Sequence, residues 1–441
     1  MNQSFTIHNL MRRMVDIDQG EGRAVVWSFV YFFALLSSYY ILRPIRDEMG
    51  IIAGIDQLHW LFTATFIAML LVVPLFGFVT SRLQRRQFLP YVYYFFIGNI
   101  LLFYLLFESG YSQVYTARIF FVWLSVFNLF VVSVFWSFMT DLFKDEQAKR
   151  LFATIAAGGT IGAITGPLLT TLLVQSLGTA SMLLLSAGLL SLSVISINRL
   201  IAWQHAQKDI EQNQQSLEQP MGGAILDGIR LALSSPYLLG ICLLMLLFTL
   251  LSTFLYFQQA QIVKAAFSNS EARTAVFAAI DLSVNVLTLI LQVFITSRLV
   301  KGLGLGITLA LIPLLLAVGF IALGLFPTLV TLITVQILRR AGNYAIMRPA
   351  REMLYVVLSR EEKYKAKNFI DTVVYRGGDA VSSWVYAGFK AAGLSLASIA
   401  WIAVPLSLTW ALIAYRLGRR QTILAHGSHS NSSGGRYEQI G

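Results

Sequence analysis

Runs of about twenty apolar residues recur along the whole chain, and no other feature limits its possible folds so sharply. Roughly 18 or more such residues form a transmembrane helix, because at a rise of 1.5 Å each they cross a ~30 Å hydrocarbon core. Within lipid a helix also satisfies its own backbone amides, which an isolated strand cannot do. The runs fall near 24–43, 60–80, 89–107, 119–140, 152–176, 181–202, 237–259, 274–297, 305–326, 328–350, 368–389 and 393–415. They predict twelve spanning helices in an all-α membrane protein. Composition agrees, with 56% of residues hydrophobic and 12% charged. That is about half the charged share of a soluble globular chain, too little to cover the apolar surface in water.

Orientation follows from the short loops, where lysine and arginine accumulate on the cytoplasmic side. Alternate segments carry Arg12, Arg13 and Arg23; Arg82, Arg85 and Arg86; Lys144, Lys149 and Arg150; Lys208 and Arg230; Arg298 and Lys301; Arg360, Lys363, Lys365 and Lys367; and Arg416, Arg419 and Arg420. The intervening loops hold mainly Arg118, Lys264, Arg273 and Lys390. Both termini are therefore expected in the cytoplasm. This topology accounts for most of the net charge of +11, so no nucleic-acid partner is called for. The polar start "MNQSFTIHNLMRRMVDIDQGEGR" has no apolar core of the kind a cleaved signal peptide needs. Cys242 is the single cysteine and the five histidines show no ligand spacing, so neither a disulfide, a metal site nor a cofactor is expected.

The chain divides near its middle. After the sixth run comes the polar stretch "QHAQKDIEQNQQSLEQPMGG", then the short amphipathic segment "AILDGIRLALSSP". The expected parts are a cytoplasmic N-terminal segment (1–23), a six-helix half (24–202), a linker with its amphipathic segment (203–236), a second six-helix half (237–415) and a disordered Gly/Ser-rich tail (416–441). Six plus six helices about a central linker resembles the major facilitator layout, in which each half contains inverted three-helix repeats. A faint internal repeat accompanies it. At an offset of 218, "AKRLFATIAAGG" from Ala148 lies over "AKNFIDTVVYRG" from Ala366, matching Ala, Lys, Thr and Gly. "KGLGLG", Lys301–Gly306, lies between two membrane helices and is read as a turn, not as a phosphate-cradling loop, which would follow a strand.

Charges inside the spans carry the functional information. Arg339 and Arg340 fall near the middle of the tenth run, where an arginine facing lipid costs about 2.5 to 3.5 kcal/mol. They are expected to face a watery cavity; the alternative is that they pair with Glu352 and other acids to hold helices together. Arg340, Tyr344, Arg348 and Arg351, at i, i+4, i+8 and i+11, would share one face of a regular helix. Helix 1 repeats the geometry with Tyr39, Arg43 and Arg46, in "YYILRPIRDEMG" against "YAIMRPAREMLY". Proline should end or kink the helix at both places. Asp281, one turn from Asn285, should pair with an arginine, be protonated or line the cavity. Asp371, Arg376 and Asp379 in the eleventh run pose the same choice. Gly158, Gly159, Gly162 and Gly166 before Pro167 suit close helix packing.

Four segments carry a family resemblance. "FWSFMTDLFKDEQAKRLF" (Phe135–Phe152) is similar to the helix 4–5 junction of the ATP/ADP translocases of plastids and intracellular bacteria, and "RPAREMLYVVLSREEKYKAKNFIDTVV" (Arg348–Val374) resembles their helix 10–11 segment. "YYILRPIRD" looks like their first-helix Leu-Arg-Asp-x-Lys-Asp, and "IDLSVNVLT" like their eighth-helix Asp-Phe-Ser. The resemblance implies an adenylate exchanger of major facilitator architecture in a bacterial inner membrane. It matches Arg43, Arg46, Asp47, Asp141, Lys149, Arg150, Asp281, Arg351, Glu352, Lys367 and Asp371 to the family pattern. The translocases have Asp where this chain has Pro44 and Arg348, and Lys where Asp379 stands. Those exchanges of charge imply an anionic cargo without strict ATP/ADP selectivity.

Arginine offers forked, permanently charged donors suited to phosphate or carboxylate. The expected site uses Arg43, Arg46, Arg339, Arg340, Tyr344, Arg348 and Arg351 with Asp281 and Asp379. Asp47, Asp141, Lys149, Arg150, Glu352, Lys367 and Asp371 are expected to act in gating. The function so indicated is exchange of an organic anion, a nucleotide or another phosphorylated metabolite, by a monomer in contact with membrane lipids. An exporter of an amphiphile or lipid in the same fold is the alternative, and a non-transporting sensor or scaffold a further one. No nucleophile, base and orienting group come together for catalysis.

Overall fold

The computed structural model describes residues 21–82, 85–208 and 235–434. The N-terminal segment to residue 20, the linker stretch 209–234 with most of its amphipathic segment, and the tail from 435 lie outside them. Among the described residues there is no strand.

Each expected span has a helical counterpart. These are α1 (Gly22–Ile52), α2 (Leu58–Arg82), α3 (Arg85–Glu108) and α4 (Gln113–Leu142). A continuous stretch, Asp145–Lys208, reverses at Gly178 (φ 80°, ψ 161°), which separates α5 (145–177) from α6 (179–208). A left-handed backbone of that kind suits glycine, which has no Cβ to clash. The second set is α7 (Pro236–Ala266), α8 (Ser270–Phe294), α9 (Thr296–Leu325), α10, α11 and α12 (Leu396–Gly434). Two of these contain a widened π turn. α10 runs through Leu329–Gly342, Asn343–Met347 and Arg348–Leu354, with the middle piece π-helical; α11 runs through Arg360–Phe369, the π-helical Ile370–Val374 and Tyr375–Ala391. α10 starts on Thr328, whose side chain accepts from the Thr331 amide, and α11 starts on a Ser359–Glu362 capping box.

Of the two outcomes expected at the prolines, ending is excluded: α1 continues past Pro44 to Ile52. A proline removes one amide donor, and the hydrogen bonds of the neighbouring turns carry the helix past that single loss. Pro349 likewise lies inside α10, just after the π turn. The Ala345 carbonyl, which a Pro349 amide would have reached in a regular helix, accepts from the Thr296 hydroxyl at 2.8 Å. Finally, the tail expected to be disordered from 416 is helical as far as Gly434. The Arg, Leu, Gln and Ala residues of 416–425 extend an already nucleated helix at little cost. The "KGLGLG" segment is a bend inside α9 at Gly304 (φ 75°, ψ 166°).

The helices form two compact units: Met1–Gly54, Ile67–Leu217 and Phe267–Leu282 in the first; Ile55–Phe66, Glu218–Ala266 and Ser283–Gly441 in the second. Each thus includes a short piece from the other half of the sequence. In the first unit α1 packs along the α5–α6 hairpin. An added Cβ would meet Phe29 O at 2.5 Å from Gly158 and Ser37 O at 2.6 Å from Gly166, and would overlap Phe33 O at Gly162 and the Phe32 ring at Gly159. The glycine row therefore sets α5 directly against the α1 backbone. Phe32 stacks on Phe135 at 4.1 Å, and the buried Tyr31 hydroxyl donates to Tyr93 at 2.6 Å, which donates on to the Val131 carbonyl. The second unit repeats the pairing, with α11 on α7 and α12 on α9.

Candidate functional site

In the first unit the arginines of α1 are held by groups on α8 and α4. Arg43 Nη1 lies 3.0 Å from Asp281 Oδ1, with Asp281 only 1% exposed. Asp281 therefore has an arginine within ion-pairing distance. A carboxylate so far from water needs such a partner. Arg46 donates from Nε to the Phe121 carbonyl at 3.3 Å, sits 3.6 Å from Asp47 Oδ1 and stacks over the Phe121 ring at 3.9 Å. Three modest contacts thus fix one guanidinium. Arg43 also faces Tyr40, 5.8 Å from its ring centre.

A second cluster of this unit has no signature in the sequence. Glu48, fully buried, takes a bidentate ion pair from Arg273, Nε at 2.8 Å and Nη2 at 2.7 Å, and a hydrogen bond from Ser270 Oγ at 2.9 Å. The remaining Arg273 donors reach the Phe267 and Ser268 carbonyls at 2.9 Å. In the sequence Arg273 reads only as a loop cation, and Glu48 as one acid of "RDEMG". The two lie 225 residues apart, so their fitness as a pair is beyond any local pattern. At the other end of α1, Arg150 pairs with Glu21 at 3.2 Å and Gln147 donates to it at 2.6 Å. Lys149 and Asp141 are exposed.

In the second unit Arg339 and Arg340 are both buried. Arg339 donates to Ser252 Oγ at 2.7 Å and to Gln336 Oε1 at 3.1 Å, and the Gln336 amide reaches Gln259 Oε1. This amide–guanidinium chain joins α10 to α7 through uncharged partners. Tyr344 is half-buried and Arg348 exposed. The single helical face expected for Arg340 to Arg351 is broken, because the π turn at 343–347 adds a residue to the turn and rotates the rest of the helix. Beyond it, Arg351 donates to Met245 Sδ at 2.8 Å and lies 3.9 Å from Asp371; Lys367 pairs with Glu352 at 2.6 Å; Arg376 lies 4.0 Å from Asp379. The structure therefore draws the charged residues into two sets. Arg43, Arg46, Asp47 and Asp281 belong to one, and Arg351, Glu352, Lys367 and Asp371 to the other.

No group of His, Cys, Asp and Glu among the described residues could hold a metal ion. A cleft of about 660 Å³ between α9 and α10 is lined by residues such as Leu311, Leu314, Val318, Val330 and Leu338 without a charge, and is unsuited to an anion.

Residues 25–363 match the Major Facilitator Superfamily. The chain is 22% identical to ADP,ATP carrier protein 1 of Chlamydia trachomatis, over 84% of this chain and 83% of that one, and 20% identical to ADP,ATP carrier protein 3 of Rickettsia typhi, over 91% of each. Among solved structures it resembles the nucleoside transporter NupG (TM-score 0.61, 14% identity, 92% of this chain and 99% of that one) and a POT family transporter in complex with a thioalcohol-conjugated peptide (TM-score 0.62, 12% identity, 91% and 99%).

Proposed function

The chain belongs to the Major Facilitator Superfamily, an architecture for secondary transport, and we propose that its cargo is an organic anion, a nucleotide or other phosphorylated metabolite moved by alternating-access exchange. The observation that carries this reading is the ion pair of Arg43 with the buried Asp281. An arginine held by a buried resident carboxylate offers a phosphate the same donors that the protein's own anion occupies. A cargo phosphate competes for the same forked donors, and the resident carboxylate takes them back when the cargo leaves. The likeness to ADP,ATP carriers supports a nucleotide. The charges at Arg348 and Asp379, with Pro44, argue against strict ATP/ADP selectivity.

In this reading the pairs Lys367–Glu352, Arg351–Asp371 and Arg150–Glu21 break and re-form during the cycle. The protein works as a monomer in a bacterial inner membrane with both termini in the cytoplasm, and performs no catalysis. Counterflow in liposomes tests the substrate. Vesicles preloaded with ATP, ADP, sugar phosphates or dicarboxylates should take up labelled anion only when an internal anion is present, and Arg43→Ala and Arg46→Ala should lower the rate at least tenfold. Uptake of neutral or cationic amphiphiles, indifferent to both substitutions, would overturn the proposal.

A further inference from the structure

The seam of α9 and α12 gathers cations that the transport reading leaves unused. The two helices run antiparallel and touch through glycine: a Cβ on Gly418 would overlap Gly306, and one on Gly306 would meet Tyr415 O at 3.0 Å and Arg419 Cγ at 3.5 Å. This contact sets the first turns of α9, which carry Arg298 and Lys301, at the same end of the second unit as Arg416, Arg419 and Arg420 of α12. All five are exposed. Arg419 leans over the Tyr415 ring at 5.9 Å. The sequence holds no acid from 282 to 351 or from 380 to 437, and among the described residues none of the five makes an ion pair. The backbone bends at Gly304, between the piece 296–303 and the rest of α9.

Large apolar side chains lie exposed in the adjacent turns: Phe294 at 59%, Ile295 at 38%, Leu303 at 46%, Ile307 at 47% and Ile423 at 68%. A surface meeting only water would not interleave bare apolar groups with unneutralised arginines. A free anion would answer the arginines and leave the apolar groups exposed. A phospholipid satisfies both, with its acyl chains on the apolar flank and its phosphate among the cations. Basic clusters at the cytoplasmic end of membrane helices attract anionic lipid in this way.

We propose that the α9–α12 seam is a binding site for an anionic phospholipid headgroup, lined by Arg298, Lys301, Arg416 and Arg419. The occupant is a membrane lipid, distinct from the transported anion. The test is melting and mass-resolved lipid retention of the full chain in neutral detergent, with phosphatidylglycerol, phosphatidylcholine or inorganic phosphate added. Phosphatidylglycerol should raise the melting temperature and remain bound, and neither phosphatidylcholine nor inorganic phosphate should do so. In Arg298→Gln/Lys301→Gln/Arg416→Gln/Arg419→Gln retention should fall about tenfold or more, whereas the corresponding four-lysine variant and the remote Lys390→Gln should keep it. If the quadruple variant does not fold, Arg419→Gln alone should show a smaller loss that shrinks as salt is raised. Equal retention of phosphatidylcholine, stabilisation by inorganic phosphate alone, or full retention in the glutamine variants would overturn the site.

Discussion

Glu48 shows why single charges in this chain can be judged only with their partners. Its carboxylate is fully buried, and Arg273 and Ser270 supply the three hydrogen bonds that make burial tolerable. Removing the arginine strands that carboxylate, and Arg273→Ala should destabilise the protein by about 3–5 kcal/mol. Glu48→Ala should cost less, since Arg273 keeps its two carbonyl acceptors. The double variant should lie well short of the sum, because the second substitution removes a group already deprived of its partner. Thermal melting of the three variants in one detergent checks this, and simple additivity would show that the pair is not coupled. The sequence makes Arg43 and Asp281 visible individually, through the cost of charge in lipid. It cannot join them across 238 residues.

At the scale of the helix, much more is readable. A membrane helix must be apolar along its whole length, so each span announces itself, and a glycine every few residues in α5 marks a close neighbour without naming α1. Gly162→Val should therefore be severely destabilising, since its side chain would enter the Phe33 carbonyl and the α1 backbone has nowhere to retreat. Gly188→Ala, in α6 with nothing within 4 Å of the added carbon, should change the melting temperature by little or raise it. Equal losses at the two positions would show that helix propensity, not contact, governs them. What composition cannot show is the register inside α10 and α11. The π turn of α10 includes the Ala345 carbonyl, which Thr296 supplies with a donor, and the turn shifts Arg348 off the face that regular spacing assigns to it.

For the whole molecule, the division into units departs from the simple halving that the linker suggests. Phe267–Leu282 packs with the first unit through Glu48–Arg273 and Arg43–Asp281, and Ile55–Phe66 packs with the second, where Trp384 Nε1 donates to Thr63 at 3.0 Å and its ring meets His59 at 4.3 Å. Each sequence half therefore lacks something that its partner provides. If the chain is expressed as two fragments, 1–217 and 218–441, the first has a buried Glu48 with no arginine and the second an exposed Trp384 with no α2. Either fragment alone should accumulate poorly and melt early. Co-expressed, the two should associate, co-purify and recover anion exchange, because each carries a segment that packs in the other's unit. Reversing the pair by Glu48→Arg in one fragment should weaken the association, and Arg273→Glu in the other should restore part of it. Stable, independently folded fragments with no mutual affinity would show that the shared segments contribute nothing to assembly.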